Sequence, residues 1–129
     1  EVCDAYQFKK SENDELSKLY FDDGTGFNER ATFTHVMPMD GNIFKQVYEF
    51  PTKCQHVRYD PVEGTTISLS HLKIVAEDAN VNIIATNGRQ VDDVFYFGKD
   101  DPWIDMSFSH GVSSVEITGV VREVNEDAM

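Results

Sequence analysis

The sequence is poor in cysteine, in basic side chains and in long apolar runs. Among its 129 residues there are 2 cysteines, and 11 Lys and Arg residues stand against 23 Asp and Glu residues. The formal net charge of -12 would repel the phosphates of a nucleic acid and an anionic lipid surface. No apolar run approaches the ~20 residues that a spanning helix needs, and no signal peptide is visible. We therefore expect a cytoplasmic protein that binds no nucleic acid and does not insert into a membrane.

The two cysteines, Cys3 and Cys54, are far apart, and neither belongs to a Cys-x-x-Cys pair. This spacing lacks the signature of a zinc or redox site. A single disulfide between them is one interpretation, but two free thiols are what we expect in a cytoplasmic domain. The chain begins at Glu1 without an initiating methionine, which favours excision from a longer protein over processing of a precursor.

The length is that of one domain. A chain of 129 residues can enclose a single core without the help of disulfides. Residues 1–16 form a polar lead-in and residues 123–129 an acidic tail, and no linker or repeat divides the sequence between them. We predict a single domain over residues 1–129.

Polar and apolar residues alternate with a period of two through most of this domain, and no helical period is sustained. Residues 31–37 and 44–50 alternate most clearly, and Pro51 is predicted to end the second of these strands. Turn signals recur at roughly ten-residue spacing, and the strongest is Asn87-Gly88, which is typical of a type I′ hairpin turn. About eight or nine short strands in this pattern predict an all-β fold, an antiparallel jelly-roll-like β-sandwich.

The middle of the chain, residues 57–74, is predicted to form a strand, a tight connection and a second strand, as a hairpin or a corner of the sandwich. Pro61 has no amide hydrogen, so the first strand is expected to end beside it. In the second strand the apolar residues up to Leu69 share one face, whereas those from Leu72 onward have the opposite parity. A strand that changes its inward face needs an extra residue. We predict a bulge or a switch between sheets at Ser70-His71.

Most enzyme signatures are missing from the sequence. Gly24 and Gly26 are not followed by the Lys-Ser/Thr of a phosphate loop, and no Gly-x-Ser-x-Gly occurs. Ser70 and His71 are sequence neighbours, so on a strand they are expected to point to opposite faces rather than share a proton. The 4 histidines are scattered one to a strand or loop. Carboxylates are numerous enough that a small glycan hydrolase stays an alternative.

Residues 22–29 gather carboxylates around a tight turn. Asp22, Asp23 and Glu29 would supply the hard oxygen ligands that calcium prefers. The spacing does not match the helix-flanked calcium loop, and a solvated acidic turn is the other interpretation. We retain these three residues as candidate calcium ligands, and we expect no other cofactor.

The single tryptophan, Trp103, shares an outward parity with Asp105 on a predicted strand. The apolar C–H face of a sugar can lie on an indole ring while its hydroxyls bond to carboxylates and amides. The same ring could instead cap the edge of the sandwich. Arg58 and Asp60 also share one strand face, and we expect them to pair with each other rather than with a ligand.

Two short motifs carry a resemblance to a known family. Residues 19–29 have the sequence LYFDDGTGFNE, and residues 57–64 have the sequence VRYDPVEG. An aromatic-Asp-x-Gly-x-Gly-Phe strand followed, after two strands, by Arg-aromatic-Asp-Pro resembles a β-sandwich module attached to bacterial glycosyltransferases that build cell-surface polysaccharides. Residues 17–122 take part in the resemblance. It implies a non-catalytic accessory domain, similar to carbohydrate-binding modules, that works beside a transferase domain.

These observations lead to one main functional prediction and an alternative from another class. The main prediction is a module that binds or positions a glycan or polysaccharide for an attached bacterial glycosyltransferase, with Trp103, Asp105 and Tyr59 in contact with the ligand. The alternative is a protein-interaction or spacer domain with no sugar site. It predicts that no concave groove is lined by aromatic side chains. The small glycan hydrolase is the third hypothesis.

Overall fold

The fold is all-β, as the alternating pattern predicts. A computed structural model describes residues 15–22, 26–27, 31–62, 65–98 and 102–124. Within these ranges no helix has the length and apolar character needed to cross a membrane. The strands are β1 (Glu15–Phe21), β2 (Thr32–Met37), β3 (Asp40–Asp60), β4 (Ile67–Ala76), β5 (Val81–Thr86), β6 (Arg89–Val91), β7 (Val94–Phe97) and β8 (Ile104–Glu123).

All the strands join one antiparallel sheet through two long central strands, β3 and β8. The strand order is β2-β1-β3-β8-β4-β7-β6, and β5 pairs with β8 outside this path. The start of β8, residues 104–108, lies between the end of β3 and β5. The rest of β8 lies between the beginning of β3 and β4. Each long strand therefore has different neighbouring strands at its two ends.

The pairing of β3 with β8 is irregular at the point where the neighbouring strands change. Its register with β8 shifts between Glu49 and Cys54 and again between Cys54 and His56. Extra residues in one strand bend an antiparallel pair and increase its twist. The bend divides the sheet into a first layer (β2, β1, the end of β3, the start of β8, and β5) and a second layer (the beginning of β3, the rest of β8, β4, β7 and β6).

The two layers pack face to face, which is consistent with a β-sandwich. The side chain of Gln46 in the second layer donates a hydrogen bond to the Ser17 hydroxyl in the first, at 3.0 Å. The rings of Phe33 and Tyr48, also on opposite layers, have centroids 5.7 Å apart. The jelly-roll connectivity that we expected is not confirmed, because β3 and β8 each run through both layers instead of ending at a layer boundary.

The core follows the alternation that the sequence predicts. In residues 44–50 every second side chain is buried, and the intervening ones are exposed. Residues 104–108 and the start of β4 show the same period. Full burial of one large apolar side chain contributes about 1.5–3 kcal/mol. The largest fully buried side chains include Leu19, Tyr48, Tyr59, Phe97 and Ile117.

Two predicted strand ends are wrong. Pro51 does not end a strand, because β3 continues through it to Asp60. Pro51 lies inside the register shift, where the ladder with β8 is interrupted and its missing amide hydrogen costs no bond. Residues 103–108 and 115–121, predicted as separate strands, both fall within the continuous strand β8, apart from Trp103. In both cases a bend within one strand replaces the expected turn.

The predicted hairpin turn at Asn87-Gly88 is also wrong. β5 pairs with β8, and the hairpin forms instead between β6 and β7, where Val91 pairs with Val94 across Asp92 and Asp93. Gly88 is needed for a different reason. A Cβ atom at this position would lie 2.5 Å from the ring of Phe97, so the glycine permits a close approach of the backbone.

The predictions for the middle of the chain are confirmed. β3 ends at Asp60 and does not pair with β4, which begins in the other layer, so the connection at Pro61 is a corner and not a hairpin. The register of β4 with β8 shifts between Ser70 and Lys73, and His71 has a φ of 55°. The predicted irregularity at Ser70-His71 is thus a bulge within one layer, not a switch between sheets.

Candidate functional site

The first candidate site lies on the outer side of the first layer, and we call Tyr20, Arg58, Trp103 and Asp105 the tryptophan face. Arg58 lies in the ladder between Tyr20 of β1 and Asp105 of β8, each of which is its Cα partner. Val57 and the other flanking residues of these strands are buried. Since side chains alternate across a strand, the side chains of the tryptophan face share the opposite, outer surface.

Hydrogen bonds to neighbouring residues hold the backbone of Trp103 in place. Its amide donates to Oδ1 of Asn87 at 2.9 Å, and its carbonyl accepts from Oγ1 of Thr86 at 2.8 Å. The guanidinium carbon of Arg58 lies 5.0 Å from the centroid of the indole ring, within cation–π range. The ring is therefore positioned against the sheet instead of hanging from a free loop.

The expected pairing of Arg58 with Asp60 is confirmed. Nε of Arg58 lies 3.5 Å from Oδ1 of Asp60, an ion-pair distance. The Asp60 side chain is only 7% exposed, whereas that of Arg58 is 36% exposed. The arginine thus offsets the charge of a shielded carboxylate and still reaches the surface.

Asp105 brings an unused acceptor to the tryptophan face. Its Oδ1 atom is shielded from solvent and has no hydrogen-bond partner in the part of the chain that the structure describes. A buried polar atom without a partner costs about 1–3 kcal/mol. Because this atom is out of reach of solvent, a ligand hydroxyl would have to contact the other oxygen of the carboxylate, and the residue as a whole is half-buried.

Tyr59, which we expected at the ligand surface, lies in the core. It is fully buried, and its hydroxyl donates to Oε1 of Gln46 at 2.8 Å. Tyr48 donates to the same oxygen, also at 2.8 Å. Burial raises the pKa of Tyr59 well above its ordinary value, so the phenol stays a donor. The strand parity that turns Arg58 outward turns its neighbour Tyr59 inward.

The calcium prediction depends largely on residues outside the described ranges. Asp23 and Glu29 are among these. Asp22 is described, and its carboxylate accepts a hydrogen bond from the Gly26 amide at 3.1 Å, as in a tight acidic turn. The described residues contain no group of three or more His, Cys, Asp and Glu side chains that could hold a metal ion. The calcium site stays a prediction.

The second candidate site is a cleft of about 770 Å³ at one side of the sandwich, which we call the lateral cleft. It opens between β5 of the first layer and β4, β6 and β7 of the second. Such a volume lies in the range of small-molecule and peptide sites. Its apolar lining consists of Leu72, Ile74, Ile83, Val94 and Phe95.

Polar and charged residues surround this apolar lining. His71 and Lys73 come from the bulged part of β4, and Asp92 and Asp93 form the tip of the β6–β7 hairpin. His71 and Asp92 both have positive φ values, 55° and 54°. Residues held in this region cost energy and cluster at functional sites. The bulge was visible in the sequence, but the cleft was not, because no pattern indicated the β6–β7 hairpin.

At the lateral cleft, the structure corrects one prediction about Ser70 and His71. Oγ of Ser70 and Nδ1 of His71 lie 3.2 Å apart, although sequence neighbours on a regular strand point to opposite faces. The positive φ of His71 removes that alternation. Within the described residues no carboxylate is hydrogen-bonded to His71, so the pair lacks the third group that orients the imidazole in a catalytic triad.

A third polar cluster fastens the turn between β4 and β5 to the bend of β8. The ring nitrogens of His110 lie 2.7 Å from the Asp78 carbonyl and 3.0 Å from the Gly111 carbonyl. These two contacts raise the pKa of His110, because carbonyls accept and only the imidazolium can donate from both nitrogens. The Glu77 carboxylate accepts from the amide of Ser113 at 2.7 Å. The cluster is structural and contributes no residue to either candidate site.

Comparison with known proteins provides no relative for either site. No protein-family model, no curated protein and no solved structure matches the chain.

Proposed function

We propose that this chain is a non-catalytic module that binds a glycan on the tryptophan face. The observation that carries the proposal is that Arg58 and Asp105 are partners in an antiparallel ladder, and that the ring of Trp103, the residue just before β8, lies 5.0 Å from the Arg58 guanidinium carbon. An aromatic ring, a cation and a carboxylate on one surface match the two aspects of a sugar, an apolar C–H face and a rim of hydroxyls.

The rigidity of the surface supports binding. The tryptophan backbone is bonded to Asn87 and Thr86, and Arg58 is flanked by paired strands on both sides. Groups that are already ordered lose little conformational freedom when a ligand arrives. A rigid outer face suits repeated, weak contacts along a polysaccharide.

The arrangement of carboxylates favours binding over hydrolysis. A glycosidase uses two carboxyl groups on opposite sides of the scissile bond. Beside the tryptophan face Asp60 is 3.5 Å from Arg58 and shielded, which leaves the second carboxylate oxygen of the half-buried Asp105 for a sugar hydroxyl. In the context that the motif resemblance implies, the bound glycan would be the substrate or product of an attached bacterial glycosyltransferase.

The test is titration of the chain with bacterial polysaccharides and their oligosaccharides, followed by calorimetry or by backbone amide shifts. Trp103→Ala should weaken binding at least about tenfold, the equivalent of 1.4 kcal/mol. Tyr96→Ala is the matched control, because Tyr96 is also an aromatic residue with an arginine, Arg89, 5.5 Å from its ring, but on β7 of the second layer. Binding that survives Trp103→Ala, or that weakens equally in both variants, would refute the assignment.

The lateral cleft favours a second candidate function, protein interaction. The interaction hypothesis predicted that no groove would be lined by aromatic side chains. Phe95 is the one aromatic residue in the lining and is only 4% exposed, so the cleft offers no aromatic platform for a sugar. Its aliphatic lining suits the side chains of a polypeptide.

A further inference from the structure

The cleft adjoins a strand edge that is left unpaired. β4 pairs with β7 only through residues 67–69, and β7 begins at Val94, beside the start of the bulge. Beyond the bulge, β4 stays paired with β8 on one side through residues 73–76. On its other side, no described strand pairs with residues 72–75. Such an edge presents backbone donors and acceptors that can take another strand.

The apolar lining lies beside this same edge. Leu72, Lys73 and Ile74 line the cleft, and Ile83 of the opposite layer lines it across the gap. Ile83 is 43% exposed, which is high for a side chain on the face of β5 that packs toward the core. A strand laid along β4 would direct alternate side chains into this gap, where they would cover Ile83.

Charge at the mouth of the cleft restricts the partner. Asp92 and Asp93 form the hairpin tip beside the position where an added strand would begin. The whole chain has a formal net charge of -12, so a basic segment is attracted at long range as well as at the tip. Lys73 offsets one of the two aspartate charges, but the lining still has a net negative charge, so an acidic segment would be repelled both locally and at long range.

From these observations we infer that the lateral cleft binds an extended, basic peptide segment of a partner protein by strand addition to β4. The segment alternates apolar side chains, which enter the cleft, with polar ones, and it carries a lysine or arginine next to Asp92 and Asp93. Residues 72–75 of β4 supply the backbone hydrogen bonds. This site is separate from the tryptophan face, so either can fail without the other.

The probe is a synthetic heptapeptide of alternating valine and threonine with a lysine at each end, titrated into the 129-residue chain. Backbone amide shifts and hydrogen exchange are recorded by NMR. The expected result is saturable binding, with slowed exchange at backbone amides among residues 72–75. The same peptide with glutamates in place of the lysines should bind several-fold more weakly, and that difference should shrink in high salt.

Three variants locate the site. Ile83→Glu places a charge against the apolar lining. It should weaken binding of the heptapeptide at least about tenfold, which corresponds to 1.4 kcal/mol. Ile84→Glu is the matched control, because Ile84 is 57% exposed and does not line the cleft. Replacing Asp92 and Asp93 together by asparagine should abolish the preference for lysine over glutamate, and asparagine tolerates the positive φ of Asp92.

Other occupants give different results, and each would overturn the inference. A second copy of this chain on the edge would appear as concentration-dependent dimerisation in sedimentation, lost in Ile83→Glu. A small apolar ligand would appear as binding of an anilinonaphthalene dye at the cleft without slowed exchange on β4. Strand addition would also be refuted if the heptapeptide shifts backbone amides outside the cleft, or if it causes no amide shifts at millimolar concentration.

Discussion

The tryptophan face and the lateral cleft are built from the same alternating strands but differ in whether those strands have neighbours. At the tryptophan face, Arg58 has a paired residue on each side, so its surface is a closed ladder that offers only side chains. At the cleft, β4 is no longer paired with β7 beyond Leu69. This side of β4 therefore offers its backbone groups and the edge of the core. Complete pairing produces a flat polar surface, and interrupted pairing produces an apolar groove.

The largest effect is expected from a change at Gln46, whose hydrogen bonds connect the two layers. This change tests whether both surfaces depend on that contact. Gln46→Leu should reduce the free energy of unfolding by about 3 kcal/mol, because Tyr48, Tyr59 and Ser17 all lose a buried partner. Urea titration followed by intrinsic fluorescence measures the change.

The control is Tyr59→Phe, which removes a single hydroxyl from the same network and should cost about 1 kcal/mol. Glycan and heptapeptide binding should fall together in Gln46→Leu once the protein begins to unfold. Equal stability of Gln46→Leu and the parent chain would show that the layers are joined by apolar contacts alone.

A smaller effect is expected at the connection that runs from the tryptophan face to the cleft. Gly88 lies between β5 and β6, and Gly88→Ala would bring a methyl group 2.5 Å from the Phe97 ring. We expect a loss of about 1–3 kcal/mol in thermal or urea unfolding, as for other overpacked sites.

Gly98→Ala is the matched control, because nothing lies within 4 Å of a Cβ atom at that position. It should leave stability nearly unchanged. If the two alanine variants unfold alike, Phe97 moves aside without cost, and the hairpin that forms one wall of the cleft is softer than its packing indicates.

The smallest expected effect concerns pH and the turn that joins β4 of the cleft to β5 of the first layer. The pKa of His110 is raised, chiefly by its contact with the Asp78 carbonyl and then by that with the Gly111 carbonyl. Its contribution to stability is therefore full below the usual histidine pKa of about 6.5 and is lost as the pH rises through the raised value. The nearby charges of Asp78 and Lys53 act in opposite directions on this pKa.

Melting temperatures from acidic to mildly alkaline pH, compared between the parent chain and His110→Ala, isolate this contribution. The difference between the two should be largest at acidic pH and should shrink as the pH rises, because the neutral imidazole keeps only one of its two N–H donors. His35 is a useful contrast, because burial lowers its pKa and its contribution has the opposite sign, present above the usual pKa and lost as the pH falls. A difference that grows with pH would contradict the assignment for His110.

The sequence predicted burial better than it predicted strand ends. The inward positions at 44–50 and the bulge at Ser70-His71 are confirmed, because period-two alternation records directly which side chains leave water. The predictions at Pro51 and Asn87-Gly88 are wrong, because a proline can lie within a bend and a glycine can permit a close contact. Local residue type does not distinguish these uses from turns.

The same distinction, between features with a local sequence pattern and features without one, applies to the candidate sites. The outward position of Asp105 and the pairing of Arg58 with Asp60 follow from strand parity and are confirmed. Trp103 lies just before β8, and its ring is beside the outward-facing Arg58. The prediction for Tyr59 is wrong, because the strand parity that turns Arg58 outward turns Tyr59 into the core. The Gln46 network and the lateral cleft had no local signal, since they join residues far apart in the chain.

By itself the sequence determined that this chain is an antiparallel all-β protein, and it determined which face of most strands is buried. Both follow from the short-range rule that successive side chains of a strand point in opposite directions. Only the tertiary structure decided that β3 and β8 bend through both layers and that β4 loses its neighbour beyond Ser70. Strand pairing depends on contacts between residues far apart in the sequence. An unpaired strand edge can therefore be identified only when the positions of all neighbouring strands are known.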